Sequence, residues 1–222
     1  MLSKTQFTVP FKIFNIAKDS IPSINSKLSL NQPTGDFFYD PWEIKSEFKN
    51  TVWEEVLDSL PLDKGEARLI ELAPQQTYSS HADIDDRWHL ALSGDQSYLI
   101  DLDEMKIHKT DPDGDWYYMD AGRIHSAANF GSHSRIQLVV RKLLLKNNID
   151  NSIRVTIDPA GDTTWHRHNF DLIFSPWLNR ANKAGDISHF NFQGNTIRFN
   201  INPNVLEYFK NIVTTDFKVN YA

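Results

Sequence analysis

Three residues between Ser79 and Arg141 have the types and spacing to hold one metal ion: His81, Asp83 and His125. In an extended segment, residues i and i+2 project from the same face, so His81 and Asp83 can present a nitrogen and an oxygen to one ion. Antiparallel strand pairing can bring His125 to the same end of a sheet. Because the chain has no cysteine, any metal must be held by histidine and carboxylate. The pattern predicts a metal site.

Arg135 stands at the head of the apolar run Ile-Gln-Leu-Val-Val. A guanidinium that points into an apolar interior is costly unless an anion accompanies it, and it can bond a carboxylate at two points. The alternatives are a pairing with an internal Asp or Glu, or exposure to solvent.

Two histidines and a carboxylate leave open positions on the opposite side of the ion, as in the facial triad of non-heme iron(II) oxygenases. These positions can take a bidentate organic ligand and dioxygen.

Short strands are predicted around these residues, because apolar residues alternate from Glu66 onward and turn-forming residues separate the runs. The turn signals are the glycine and aspartate clusters at 93–95, 101–104, 111–115 and 120–122. Many short strands at close spacing favour an antiparallel barrel or sandwich. The predicted strands are Ala67–Leu72, Trp88–Leu92, Ser97–Leu102, Met105–Lys109, Trp116–Met119 and Arg135–Leu145.

The flanking regions have mixed patterns. Residues 5–16 read as one or two strands broken at Pro10, residues 24–28 as a short helix, and Trp42–Leu60 as a helix that is interrupted near Asn50. Residues 146–151 resemble a boundary, so we expect a domain over residues 1–145 and a small α+β segment over 146–222. That segment is predicted to contain strands Ser152–Ile157, Ile187–Phe192 and Thr196–Ile201, a helix at Trp177–Ala184, and a helix at Pro203–Val213 capped by Asn202.

Composition bounds the class of protein. A formal net charge of −6 argues against a nucleic-acid surface, which needs a basic stripe. No apolar run approaches the length of about 18–20 residues that a membrane span needs. The absence of cysteine fits a cytoplasmic protein. Because the chain is acidic overall, a site for an anionic ligand needs arginine residues close by. The central stretch contains three: Arg87, Arg123 and Arg135.

Together these residues carry a resemblance to the iron(II)/2-oxoglutarate-dependent dioxygenases, and within them to the aspartyl/asparaginyl β-hydroxylase and proline hydroxylase-like family. Four pieces between residues 66 and 145 match. Glu66–Pro74 resembles the strand before the first ligand, His81-x-Asp83 the first two iron ligands, Arg87-Trp88-His89-Leu90 an Arg-x-His-Leu strand, and Trp116–His125 with Asn129 and Arg135 the block of the distal histidine.

The resemblance implies a mainly β fold, a double-stranded β-helix (cupin-like jelly roll) with flanking helices. It implies that His81, Asp83 and His125 bind iron(II) and form the catalytic centre, that Arg135 holds the distal carboxylate of 2-oxoglutarate, and that Arg87 and His89 contact this cosubstrate. The implied reaction hydroxylates an unactivated C–H bond of an amino acid, free or within a peptide, with O2 consumed and succinate and CO2 released. Animal members lack the carboxylate ligand, so Asp83 favours the bacterial, amino-acid-hydroxylating side of the family.

Two other hypotheses remain open: a metal-binding cupin with chemistry independent of 2-oxoglutarate, and a binding module of the same fold without turnover. Substrate identity and oligomeric state are also open. Several other residues are predicted to have structural roles and no part in the site. His166 and His168 are predicted to be surface histidines, His133 a loop residue, Trp88 a packing residue, and Asp111–Asp115 a solvated hairpin turn rather than a calcium loop. Asp85 and Asp86 could compete with Asp83 as ligand, but the His-x-Asp spacing favours Asp83.

Overall fold

The fold is described from a computed structural model, which describes residues 1–159, 170–213 and 217–222. It is mainly β, with antiparallel sheets. The strands are β1 Leu2–Thr8, β2 Lys27–Ser29, β3 Asn31–Pro33, β4 Trp42–Ile44, β5 Lys64–Leu72, β6 Gln76–Thr77, β7 Arg87–Ser93, β8 Ser97–Asp101, β9 Lys106–Lys109, β10 Asp115–Met119, β11 His125–Asn129, β12 Arg135–Lys142, β13 Ile153–Pro159, β14 Ile187–Gln193, β15 Thr196–Ile201 and β16 Phe217–Tyr221.

The helices in the described residues are short. They are α1 Phe11–Asp19, α2 Val52–Asp58, α3 Ser175–Ala184 and α4 Leu206–Ile212, with single helical turns at Ser46–Phe48, Phe170–Phe174 and Pro203–Val205. Within the described ranges, none of these helices has the length and apolar character needed to cross a membrane.

The strands from β5 to β12 form a jelly roll. One face has the order β10-β7-β12-β5, extended by β1 and β2 at its edges, and the other has β6-β11-β8-β9. If these strands are renumbered one to eight, the orders become 6-3-8-1 and 2-7-4-5. Successive strands mostly alternate between the two faces, which is the connectivity of a double Greek-key jelly roll. The predicted fold class is confirmed.

Alternation along the strands separates the core from the interior cavity. Leu69, Leu90 and Leu138 project from the outer face of the large sheet and are fully buried against α1 and α2, in a cluster that also contains Trp53 and Trp116. The residues next to them project to the opposite face, into the jelly roll. Strands β5, β7 and β12 therefore each combine one apolar face with one face that carries polar side chains.

Helix α2 begins at a cap, because the Thr51 Oγ1 accepts a hydrogen bond from the Trp53 amide at 3.2 Å. The predicted helix from Trp42 is wrong before this point. Trp42–Ile44 pairs with β3 as a strand, and Asn50 has a φ of 57°, which interrupts any helix there. Local propensity was overruled by strand pairing.

Two further expectations near the N-terminus are wrong. Residues 11–16 belong to α1, because Pro10 precedes the helix and Phe14 and Ala17 are buried three residues apart on one face. Residues 27–29 form β2, paired with β5, instead of the end of a helix. The Asp111–Asp115 segment leads from β9 into β10, and the predicted hairpin turn is wrong because these two strands lie in different sheets.

The C-terminal residues form the sheet β14-β15-β13-β16 with α3 and α4, and the predicted Asn202 cap is confirmed by its hydrogen bond from the Asn204 amide. Their aromatic core also takes in residues of the N-terminal part, namely Phe38, Tyr39, Ile84 and Leu144. The predicted boundary after residue 145 stays a prediction.

Candidate metal centre

The structure brings His81, Asp83 and His125 together at one end of the jelly roll. His81 and His125 form an antiparallel bridge, and the Asp83 amide donates to the carbonyl of Ala121 at 2.8 Å. The Asp83 Oδ2 lies 3.6 Å from the His125 Nε2 and 3.9 Å from the His81 Nε2. One ligand atom of each residue lies within 4.8 Å of the others, which is a spacing that one cation can bridge.

Both imidazoles are held in the tautomer that metal binding needs. The Nδ1 of His81 lies 2.8 Å from the Ser79 carbonyl oxygen, and the Nδ1 of His125 lies 2.7 Å from that of Arg123. A carbonyl oxygen only accepts, so each Nδ1 must carry the proton and donate it. In the neutral ring each Nε2 then has a lone pair, and the Nε2 atoms face Asp83. Such outer hydrogen bonds orient histidine ligands in metal sites.

Asp83 supplies the matching charge. One carboxylate oxygen, Oδ1, lies 2.5 Å from the Arg87 guanidinium. The other, Oδ2, is buried and has no hydrogen-bond donor among the described residues. Burial lowers the pKa of His125 to about 4, which keeps its ring neutral near pH 7. Two imidazole nitrogens and one carboxylate oxygen form a ligand set that fits a divalent cation bound on one face.

A cavity of about 350 Å³ extends from these three residues into the jelly roll, and Arg135 lines it. This space is called the jelly-roll cavity below. Arg135 is only 2% exposed, and no carboxylate of the described residues lies within 4.0 Å of its guanidinium. Its Nε donates to the Ser97 Oγ at 2.6 Å. Burial lowers the pKa of Arg135 to about 10. Arg135 is therefore a desolvated cation that has no carboxylate partner among the described residues.

A chain of buried hydrogen bonds runs behind the cavity from Arg135 to His89. The Ser97 and Thr110 hydroxyls lie 2.8 Å apart, the Gln137 Nε2 donates to Thr110 Oγ1 at 2.8 Å, and the Gln137 Oε1 lies 2.9 Å from the His89 Nδ1. The His89 Nε2 is buried without a partner among the described residues. Burial lowers the pKa of His89 to about 3, so the ring is neutral and its Nε2 is an unused acceptor.

The predicted site residues therefore line one cavity, but their contacts differ. Arg87 lies 2.5 Å from Asp83 and 3.7 Å from Asp85, so its visible contact is with a candidate ligand. Its predicted contact with a cosubstrate stays a prediction, as does that of His89.

Asp85 and Asp86 are engaged elsewhere. Asp85 accepts two hydrogen bonds from Arg141, and Asp86 accepts from Tyr118 and Asn179 and pairs with Lys183. They do not join the cluster. Trp88 packs in the core, as predicted, and His133 is an exposed loop residue. The predictions for His166 and His168 lie outside the described residues.

Sequence reasoning missed Arg68, Ser97, Thr110 and Gln137. Gln137 carried a usable signal, because it lies two residues after Arg135 on the same strand face. Ser97 and Thr110 carried none, since β8 and β12 lie in different sheets and Ser97 meets Arg135 only where the two sheets face each other.

Comparison with known proteins adds little. No family model matches the chain, and no curated protein matches it. Among solved structures, the crystal structure of the DMSP lyase DddQ from Ruegeria pomeroyi DSS-3 is 12% identical and covers 67% of this chain and 80% of that chain, with a TM-score of 0.32. At that TM-score the likeness carries no conclusion about fold or function, and the fold assignment rests on the strand order.

Proposed function

We propose that the protein is an iron(II)- and 2-oxoglutarate-dependent dioxygenase that hydroxylates a C–H bond of an amino acid. One observation carries the proposal: a two-histidine, one-carboxylate cluster lines the same cavity as a buried guanidinium that has no carboxylate partner in the described part of the chain. A metal site alone fits many chemistries. The Arg135 guanidinium favours an anionic organic ligand that extends from Arg135 towards the metal.

The chain's own residues would divide the work. His81, Asp83 and His125 would hold iron(II) on one face, and bound iron supplies dioxygen activation at the positions left open. Arg135 would bond the distal carboxylate of 2-oxoglutarate at its terminal nitrogens, because its Nε is already committed to Ser97. Arg87 would keep Asp83 oriented through Oδ1 while leaving Oδ2 for the metal.

The His89 Nε2 and the apolar residues of the jelly-roll cavity would line the cosubstrate. Leu99, Ala127 and Val139 are among these residues. They exclude water from the reacting centre, which strengthens the electrostatic contacts there. The balanced reaction consumes 2-oxoglutarate, O2 and a C–H bond, and gives succinate, CO2 and the corresponding alcohol.

The test is turnover of 2-oxoglutarate by purified protein supplied with iron(II) and O2, measured as succinate formed. We expect succinate from the wild-type protein and none above background from Asp83→Ala. An Asp63→Ala variant is the matched control, because this exposed aspartate lies away from the cluster. Turnover by Asp83→Ala equal to wild type would refute the site assignment. Iron binding without succinate formation would favour a cupin that does not use 2-oxoglutarate.

A further inference from the structure

A second cavity, of about 220 Å³, adjoins the metal cluster. It shares Arg68, Asp83 and Arg87 with the jelly-roll cavity. Because Asp83 is a candidate ligand, a molecule in the second cavity lies beside the proposed metal and outside the space that Arg135 lines. We call it the phenyl cavity, after the four phenyl rings of its wall: Phe37, Phe38, Phe170 and Phe192.

The phenyl wall is assembled from three separate segments of the chain. Phe170 and Phe192 meet with their ring centroids 5.6 Å apart, Phe38 and Phe192 at 6.0 Å, and Phe37 and Phe38 at 4.9 Å. Phe37 is 42% exposed and Phe192 is 45% exposed. Exposed aromatic rings clustered at a cavity are typical of a ligand site, since isolated surface packing does not collect them there. This wall is suited to an apolar group.

The polar side of the phenyl cavity is balanced in charge. Arg141 is bonded at two points to Asp85 and also lies over the Phe37 ring. Arg87 is paired with Asp83. Among the described residues, three guanidinium groups and three carboxylates line the cavity: Arg68, Arg87 and Arg141 with Asp83, Asp85 and Asp171. Such a surface suits a zwitterion, and these residues offer no surplus cation for a substrate that carries two carboxylates.

Arg68 is the guanidinium with the least protein contact. Among the described residues, its side chain makes one hydrogen bond, from NH1 to the Glu66 Oε2 at 3.1 Å. Arg141 and Arg87 instead bond carboxylates that line the cavity itself. Arg68 lines both cavities, so it retains donors for a single carboxylate at the place where the two spaces meet.

We propose that the phenyl cavity binds the substrate, a free α-amino acid with an uncharged, apolar side chain, with its carboxylate on Arg68 and its side chain against the phenyl wall. This inference rests on the proposed function for its reaction, but the binding itself can be measured without turnover. The phenyl cavity should select apolar over acidic amino acids. Its phenyl wall provides apolar contact, and the guanidinium and carboxylate groups on its polar side balance each other in charge.

The test is ligand-observed NMR of the iron-free protein with L-leucine, L-phenylalanine, L-leucinamide and L-aspartate, with dissociation constants obtained by titration. We expect leucine or phenylalanine to bind at least about tenfold more tightly than aspartate or leucinamide, a difference of about 1.4 kcal/mol. Absence of binding by both apolar amino acids, or tighter binding of aspartate, would overturn the proposal.

Two variants locate the binding. Arg68→Gln should weaken leucine binding at least about tenfold while leaving leucinamide unchanged, because only leucine has the carboxylate. Phe192→Ala should weaken the binding of both ligands. We expect this variant to fold, because the Phe192 side chain is 45% exposed. Phe11→Ala, at a phenylalanine that is 82% exposed on α1, is the control. Equal leucine binding by wild type, Arg68→Gln and Phe192→Ala would place any binding elsewhere and refute the assignment.

The two claims can fail separately. If 2-oxoglutarate turnover is absent but leucine binding depends on Arg68, the proposed function is wrong and the binding site stands. If turnover is present but no apolar amino acid binds, the substrate class is wrong and the dioxygenase stands.

Discussion

His81 and His125 exchange both of their main-chain hydrogen bonds, at 3.0 and 2.8 Å, although they lie far apart in the sequence. This bridge sets the two imidazole centroids 4.4 Å apart. The two candidate ligands are thus positioned by the backbone of the jelly roll, and Asp83 joins them from the same segment as His81. Side-chain truncation at these positions should therefore remove metal binding while keeping the fold.

The first prediction concerns metal affinity. His81→Ala should weaken binding of iron(II) or cobalt(II) by more than about 100-fold, beyond the 10- to 100-fold cost typical of losing an outer partner of a ligand. Anaerobic calorimetry measures it. His133→Ala is the control, because His133 is exposed and lies in a loop. Equal affinity of His81→Ala and the control would exclude His81 as a ligand.

The second prediction concerns Ser97, which holds the Nε of Arg135 at 2.6 Å. Ser97→Ala should leave metal affinity unchanged and weaken 2-oxoglutarate binding by about tenfold, or about 1.4 kcal/mol, because Arg135 keeps its charge but loses its orientation. Titration of the metal-loaded protein with 2-oxoglutarate measures this effect. Ser132→Ala, at an exposed serine shortly before the strand of Arg135, should bind 2-oxoglutarate like wild type. An unchanged affinity in Ser97→Ala would show that the serine does not position Arg135.

The third prediction concerns pH and the stability of the metal-free protein. Burial lowers the pKa of His89 to about 3, against about 6.5 in an unfolded chain. Between these values the unfolded state binds more protons, so stability is lost as pH falls below about 6.5, by up to about 1.4 kcal/mol per pH unit for this residue. Between pH 6.5 and 5.0, wild type should lose up to about 2 kcal/mol more than His89→Asn.

Urea unfolding in the presence of a chelator at these two pH values measures the difference. Asparagine can keep a hydrogen bond to Gln137 but cannot titrate. Equal losses in both proteins would mean that His89 is not buried in its neutral form.

The fourth prediction concerns the contact between the loop before β11 and helix α3. A Cβ added at Gly122 would lie 2.3 Å from the Cγ of Asn179 and 2.7 Å from its Cβ. Gly122→Ala should therefore destabilise the protein by about 1–3 kcal/mol. In a double-mutant cycle, the same substitution should cost at least about 1 kcal/mol less when residue 179 is changed by Asn179→Gly. Full additivity in urea unfolding would show that the two residues do not meet.

An antiparallel barrel or sandwich was predictable because strand alternation and turn residues are local signals, and the family resemblance implied the jelly roll. The strands that carry His89 and Arg135 were expected, but the strand His125–Asn129 was not. The structure places Arg87, His89, His125 and Arg135 along one cavity. The His-x-Asp spacing also predicted that His81 and Asp83 face one point, and the structure bears out that arrangement.

Other features were not predictable because tertiary contacts decide them. Trp42 and Ile44 have helical spacing with later apolar residues, but pairing with β3 makes them part of a strand. Ser97 and Thr110 are ordinary polar residues in the sequence and gain their role only where the sheet that contains β8 faces the sheet that contains the strand of Arg135. The phenyl wall joins residues from three segments, and no local pattern connects them.

The most direct test of the central claim is an anaerobic titration of metal-free protein with iron(II) and then 2-oxoglutarate, monitored through the visible metal-to-ligand charge-transfer band. The proposed function predicts that the band forms in wild type and that Arg135→Gln requires at least about 30-fold more 2-oxoglutarate, since losing a buried partner of a charge costs about 2 kcal/mol or more. Arg154→Gln, at an exposed arginine, should behave as wild type. Iron binding without a band, or an Arg135→Gln titration that matches wild type, would contradict it.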